Sequence, residues 1–265
     1  MKLVFIGDIV GKPGRQIVAQ RIREIRDFWQ PDIIVANAEN AAGGLGATPE
    51  VIDELKRLGI GGFTMGNHTW RKKTIIAAMP GLPELVRPAN FPPGLPGKGA
   101  TVITLPDGRK LGLLNLIGRV YMEPFDCPFR AADALLPELL KETRTILVDM
   151  HAEATSEKIA MGWHLDGRCS AVVGTHTHVQ TADNWILPGG TAYITDVGMC
   201  GPIHSVIGTD KDVVVKKFIS GMPEKFDVAT GTALLSAVAI EIDDATGQAR
   251  AIERILIRDE KVKKN

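Results

Sequence analysis

Ala171-Val172-Val173-Gly174-Thr175-His176-Thr177-His178 sets a short apolar run against a glycine and two imidazoles one residue apart. The apolar run suits a buried parallel strand. Side chains at i and i+2 lie on one side of an extended chain, so His176 and His178 are expected to converge on a small cluster of cations while Gly174 lets the backbone bend around it. An HxH pair by itself is short enough to arise by chance, and two solvated loop histidines would read the same way.

Other segments repeat the pattern and decide between these readings. Leu3-Val4-Phe5-Ile6 leads into Gly7-Asp8, Ile33-Ile34-Val35-Ala36 leads through Asn37-Ala38 into Glu39-Asn40, and Phe63-Thr64-Met65 leads into Gly66-Asn67-His68. Ile146-Leu147-Val148-Asp149-Met150 leads into His151. In open α/β sheets ligands bind beyond the carboxyl ends of the strands. Asp8, Glu39, Asn40, Asn67, His151, His176 and His178 are therefore candidate metal ligands. Carboxylate, carboxamide and imidazole in this mixture suit manganese, iron, zinc or a related ion, and the lack of thiolate argues against a structural zinc site. Seven candidates at one site suggest two metals.

Composition narrows the function classes. The chain has 265 residues, 45% of them hydrophobic, enough for a large core in a single domain spanning 1–265. Lys+Arg and Asp+Glu are equal at 31 each, so no bulk positive field holds a long nucleic acid or an anionic membrane. Any phosphate substrate is expected to be small. Cys127, Cys169 and Cys200 are widely spaced and odd in number, which fits reduced thiols and buried small hydrophobes in a cytoplasmic protein. A strand pattern within two residues of Met1 leaves no room for a signal peptide, and no apolar run approaches membrane-spanning length.

The chain alternates between strand and helix patterns, as expected for an α/β fold. Helices are expected over Gln16–Trp29, from Thr48-Pro49-Glu50 to Leu58 with Thr48 as N-cap, and over about Ala131–Glu142. Further strands are expected over Ala100–Leu105, Lys110–Leu116, Thr191–Thr195, Thr232–Ile242 and Ala249–Ile257, the last two joined by a hairpin turn at Asp243–Gly247. Gly7-x₃-Gly11-x₂-Gly14 has the wrong spacing for a dinucleotide fingerprint and reads as a strand-to-helix turn. The result is two layers of mixed sheet with helices outside and the polar strand ends on one rim.

Gly7-Asp8, Gly66-Asn67-His68 and Gly174-Thr175-His176-Thr177-His178, in that order around a separate strand-end His151, resemble the calcineurin-like metallophosphoesterase superfamily. Within it, Ala38-Glu39-Asn40-Ala41-Ala42, Gly66-Asn67-His68-Thr69-Trp70, Arg87-Pro88-Ala89-Asn90-Phe91-Pro92, and the run His151–Lys158 are similar to the YmdB-type phosphodiesterases of bacteria. So are Gly174–Asp183 and Ala192–Met199. The resemblance covers nearly the whole chain. It implies a four-layer α/β/β/α sandwich with mixed sheets, and a dinuclear centre. In that centre Asp8 and His178 hold one metal, Glu39 bridges, and Asn67, His151 and His176 hold the other. His68 then serves as the catalytic acid near the leaving group. Val10 stands where the wider superfamily carries a histidine, and Glu39 where it carries a bridging aspartate, with Asn40 filling the place left at Val10. Losing an imidazole for a carboxamide weakens a preference for zinc and favours iron or manganese, with zinc and magnesium left open.

Such a ligand set supports in-line attack on a phosphodiester by a metal-bridging hydroxide. The resemblance implies 2′,3′-cyclic nucleotides as substrates and a nucleoside monophosphate as product. Two other readings stay open: a phosphodiesterase acting on short RNA, and a regulatory protein that binds a phospho-ligand with incidental turnover. The Gly43–Gly46 loop and the Arg87–Gly99 segment are expected to wall the cleft. Asn90 is a candidate base contact, and Phe91 is expected to anchor its loop in the core. Asp149 is expected to face away from His151. Glu153, Thr155 and Ser156 could touch substrate, with Thr155 or Ser156 read as a helix cap; His164 and His204 are read as loop or surface histidines. A homo-oligomer is compatible with the apolar C-terminal strands.

Overall fold

The computed structural model describes residues 1–259. An eight-stranded mixed sheet carries Lys2–Ile6, Ile33–Asn37, Gly62–Thr64 and Leu85–Val86 as parallel neighbours. Ala233–Ile242 runs antiparallel to Lys2–Ile6 and to its hairpin partner Ala249–Arg258. A six-stranded sheet holds Ala100–Thr104, Lys110–Ile117, Ile146–His151, Ala171–Thr175, Ala192–Ile194 and Trp185–Ile186. Its four central strands, Lys110–Ile117, Ile146–His151, Ala171–Thr175 and Ala192–Ile194, are parallel, with Ile117 opposite His151 and His151 opposite Thr175.

Strand alternation explains why these runs are apolar on both sides. Val4, Ile6, Ile34 and Ala36 face Ile17, Val18, Ile22 and Ile25 of the helix Gly11–Trp29 and Ile52 and Leu55 of the helix Pro49–Arg57. Leu3, Phe5, Val35, Val238 and Ile240 turn the other way and meet Leu111, Leu113, Leu147, Val173 and Ile194 of the six-stranded sheet. The opposite face of that sheet, with Leu114, Leu116, Val148 and Val172, packs on Leu136, Leu139, Met161 and Leu165 of the helices Pro128–Leu140 and Thr155–Leu165. Each such side chain contributes roughly 1.5–3 kcal/mol on full burial.

Several boundaries move from the sequence reading. The first helix starts at Gly11, five residues before the expected Gln16. Its first turn is pressed onto the strand Met199–Pro202, so close that a Cβ on Gly14 would strike the Cys200 carbonyl. The glycines thus serve close approach inside the helix as well as the turn before it. Thr48 caps the second helix, its hydroxyl accepting the Val51 N–H at 3.3 Å. The Thr155–Leu165 helix has Ala154 at its N-cap with no side-chain cap, so neither Thr155 nor Ser156 plays the capping role expected of them. Cys169 and Cys200 are buried, which pushes their thiols up to about 12, while Cys127 is half-buried.

One buried ion pair fixes the approach to the histidine segment. Lys158 Nζ lies 2.7 Å from Asp196 Oδ2, with both side chains fully buried. The same oxygen accepts the Thr177 N–H at 3.1 Å and the Thr177 hydroxyl at 2.6 Å, and Asp196 Oδ1 accepts the Gly198 N–H at 2.7 Å. Gly198 in turn accepts the Asp8 N–H at 3.0 Å. Removing one member of such a pair leaves the other charged and unpaired, so Lys158→Met should lower stability by about 3–5 kcal/mol in urea unfolding.

Candidate metal centre

All eight residues singled out in the sequence meet on one rim. Asp8 follows the Lys2–Ile6 strand, Glu39 and Asn40 follow Ile33–Asn37, and Asn67 and His68 follow Gly62–Thr64. His151 ends its strand, and His176 and His178 follow Ala171–Thr175. Glu39 is the hub. Its Oε1 lies 3.2 Å from His151 Nε2 and 3.3 Å from His68 Nδ1, and accepts Asn40 Nδ2 at 3.2 Å; its Oε2 accepts the His68 N–H at 2.9 Å. His151 Nε2 is 3.0 Å from Asn67 Oδ1 and 3.1 Å from His176 Nδ1. His178 Nε2 lies 3.2 Å from Asn40 Nδ2 and 3.7 Å from Asp8 Oδ1. Glu39, His151 and His176 form a group able to hold a metal ion.

The histidine segment reaches this arrangement by a different route from the extended chain expected. The strand stops at Thr175, and His176 and His178 have φ of +98° and +65°. Non-glycine residues pay strain there, of order 1–3 kcal/mol each, and such strain persists only where surroundings enforce it. The enforcing contacts are the Asp196 bonds to Thr177 between them. The turn sends His176 toward His151 and His178 toward Asp8.

His151, His176 and His178 each have one ring nitrogen tied to an acceptor. His178 Nδ1 is 2.8 Å from the Ile207 carbonyl, His176 Nε2 is 3.1 Å from Glu153 Oε2, and His151 Nδ1 is 2.8 Å from Thr175 Oγ1. The Thr175 hydroxyl donates onward to Asp149 Oδ1 at 2.7 Å. In the neutral imidazole this pattern directs the other nitrogen's lone pair inward, as metal-binding histidines require. Asp8 Oδ1 is buried with no hydrogen-bond partner, an orphaned acceptor facing the same space. The donor set fits a cation.

The protons sort accordingly. Burial would lower the His151 imidazole, but Glu39 and then Asp8 outweigh it and push it up to about 9. Burial and the neighbouring His151 push His176 down to about 3. Burial would raise Glu39, but His151 and His68 hold it well below the usual carboxylate range, whereas burial raises Asp8.

The structure corrects the sequence reading at three residues. Asp149 and His151 are two apart, so alternation puts them on the same side of the strand. Asp149 is buried, and burial pushes it up to about 6. It accepts Asn37 Nδ2 at 3.2 Å, the Thr64 hydroxyl and the Thr175 hydroxyl. Glu153, expected as a candidate substrate contact, instead holds the His176 ring, its Oε2 3.1 Å from Nε2. Asn90 is a loop buckle, donating to the Ile117 and Asp126 carbonyls at 2.8 Å each, while Phe91 is buried against Trp70 and Phe125 as expected. Over Asn67 and His176 lies a cleft of about 310 Å³ walled by Tyr121, Met122 and Glu123, and not by the Gly43–Gly46 or Arg87–Gly99 segments. His164 pairs with Asp133 and His204 is exposed, both outside the site.

Cation binding must displace the proton held at His151, so calorimetric titrations at pH 7.5 in buffers of differing protonation heat should show about one proton released, and affinity should rise with pH toward 9. Asp149→Ala removes the acceptor that orients Thr175 and His151, and should weaken metal binding about 10–100-fold in the same titration.

The chain resembles known proteins along almost its full length. It is 52% identical to the 2′,3′-cyclic-nucleotide 2′-phosphodiesterase of Bacillus subtilis, covering 98% of each chain. Among solved structures, a hypothetical protein from Thermus thermophilus superposes with a TM-score of 0.91 at 41% identity, covering 97% of this chain and 99% of that one. A novel phosphatase from Mycoplasma pneumoniae gives the same TM-score at 37% identity, covering 97% and 93%. The family model of the YmdB-like proteins matches residues 4–255, and the chain belongs to that family.

Proposed function

We propose that the chain is a metal-dependent phosphodiesterase that hydrolyses 2′,3′-cyclic nucleotides at the bond to the 2′ oxygen. The observation that carries this reading is the ring of inward lone pairs around Glu39, closed by the orphaned Asp8 Oδ1. The 52% identity to a relative named for that reaction supports it. Asp8, Asn40 and His178 would hold one divalent cation and Asn67, His151 and His176 a second, with Glu39 between them. The thiolate-free donor set favours manganese or iron. An amide oxygen has two lone pairs, so Asn40 Oδ1 can serve a cation while accepting from His68. When bound, such a pair supplies a nucleophile from water near neutral pH and neutralises phosphoryl oxygens.

The protein's own contribution centres on His68. Its Nδ1 lies 2.7 Å from Asn40 Oδ1 and donates there, leaving Nε2 for substrate. Protonated, His68 steadies the developing charge and delivers a proton to the departing 2′ oxygen. The cleft of about 310 Å³ stands at the small end of ligand sites, suited to a mononucleotide rather than a long strand. In this reading the three apolar clusters stack as an α/β/β/α sandwich in a single domain, and three unpaired thiols suit the cytoplasm.

Metal-stripped protein reloaded with Mn²⁺, Fe²⁺, Zn²⁺ or Mg²⁺ and assayed on 2′,3′- and 3′,5′-cyclic nucleotides tests the reading. Turnover should need a transition metal and favour the 2′,3′-cyclic substrates. Asp8→Ala should abolish it, and His68→Ala should reduce kcat by about 10²–10⁴ with metal content intact. No turnover by protein that binds two ions would sink the proposal in favour of a phospho-ligand-binding role.

A further inference from the structure

The wall of the cleft presents an aromatic ring to solvent on an anchored turn. Tyr121 is 90% exposed and lines the cleft with Glu123, opposite Asn67 and His176. Its φ of +60° lies in the left-handed region that bulky side chains avoid. The backbone before it is clamped by the nearly buried Glu157 carboxylate, which accepts the Arg119 N–H at 3.1 and 3.0 Å and the Val120 N–H at 3.3 Å. The backbone after it is pinned by Phe125, packed on Phe91 with centroids 4.6 Å apart, and by the Asp126 N–H donated to the Asn90 carbonyl at 3.1 Å. Exposure rules out a core role for the ring. What remains is a π-face carried on an anchored backbone at the mouth of a mononucleotide-sized cleft.

We propose that Tyr121 stacks on the base of the cyclic nucleotide and that Glu123 reads the edge of that base, selecting guanine; the inference rests on the phosphodiesterase reading above. Aromatic side chains stack on any base, so the ring supplies affinity without choice. Choice comes from the carboxylate, which when ionised only accepts hydrogen bonds and offers two oxygens. Guanine presents two adjacent donors, N1–H and the exocyclic amine, that match both oxygens at once. Adenine and cytosine offer only their exocyclic amine, and uracil only its N3–H.

The metal-loaded enzyme is assayed for kcat/KM on 2′,3′-cyclic GMP, 2′,3′-cyclic UMP, and the 2′,3′-cyclic phosphate of methyl ribofuranoside, which has no base. The wild type should favour the guanine substrate. Tyr121→Ala should cost the guanine substrate about tenfold or more relative to the base-free one, through KM, and Tyr121→Phe should keep most of that advantage. Glu123→Gln should lower the guanine-to-uracil ratio about tenfold. Equal losses on all three substrates in Tyr121→Ala, or an unchanged guanine-to-uracil ratio in Glu123→Gln, would overturn the inference while leaving the phosphodiesterase intact. Failure of the wild type on every substrate would overturn both.

Discussion

The buried Asp149 carboxylate is the interaction on which the site depends. It stands between the two large sheets, accepting Asn37 and Thr64 from one and Thr175 from the other. Asn115 closes the same seam, its Oδ1 accepting the Met65 N–H at 3.2 Å. Apolar side chains between the sheets supply most of the attraction but little direction, since burial is insensitive to small slides. Hydrogen bonds are directional and costly to leave unmade in a buried place. The polar seam therefore sets how the two rims align. Glu39 and Asn67 arrive from one sheet and His151 and His176 from the other, so their close mutual approach inherits that alignment.

The same carboxylate orients His151 through Thr175, and the pattern extends around the centre. A carbonyl holds His178, Glu153 holds His176, and the Lys158–Asp196 pair holds the backbone between them in a conformation it would not adopt alone. Stability of the fold and geometry of the centre are thus coupled through the fully buried Asp149 and Lys158–Asp196 groups. Such groups specify one arrangement because any slip strands a charge or a donor.

The sequence made much of this legible because strand ends carry their own signature. Leu3–Ile6, Ile33–Ala36, Ile146–Met150 and Ala171–Val173 are apolar at successive positions, and polar residues begin where the strands stop, so Asp8, Glu39, His151, His176 and His178 could be assembled on one rim before any contact was seen. Asp149 was recoverable by the same rule, since a two-residue spacing puts it beside His151. Other features carried no local signal. The positive φ of His176 and His178 comes from Asp196, eighteen residues beyond His178 in the chain. The short Met199–Pro202 strand has a glycine and a proline and forms because Ala233–Ile242 and Asp8–Ile9 flank it. Tyr121 sits in an irregular segment whose position is imposed by Glu157, far along the chain.

The place of Glu39 at the hub of the centre has a physical counterpart in Gly66. A Cβ at that position would collide with His151 Nε2 and Glu39 Oε2, so the Gly62–Thr64 strand end passes directly beneath the hub. That close passage brings the His68 N–H to Glu39 Oε2 at 2.9 Å and leaves Oε1 to reach His151, His68 Nδ1 and Asn40. An aspartate would be shorter by one methylene, roughly 1.5 Å. On an unchanged backbone its oxygens would sit farther from the His68 backbone and the His151 ring than those of Glu39 do. The long carboxylate and the missing side chain at Gly66 together keep a single group in contact with both His68 and His151.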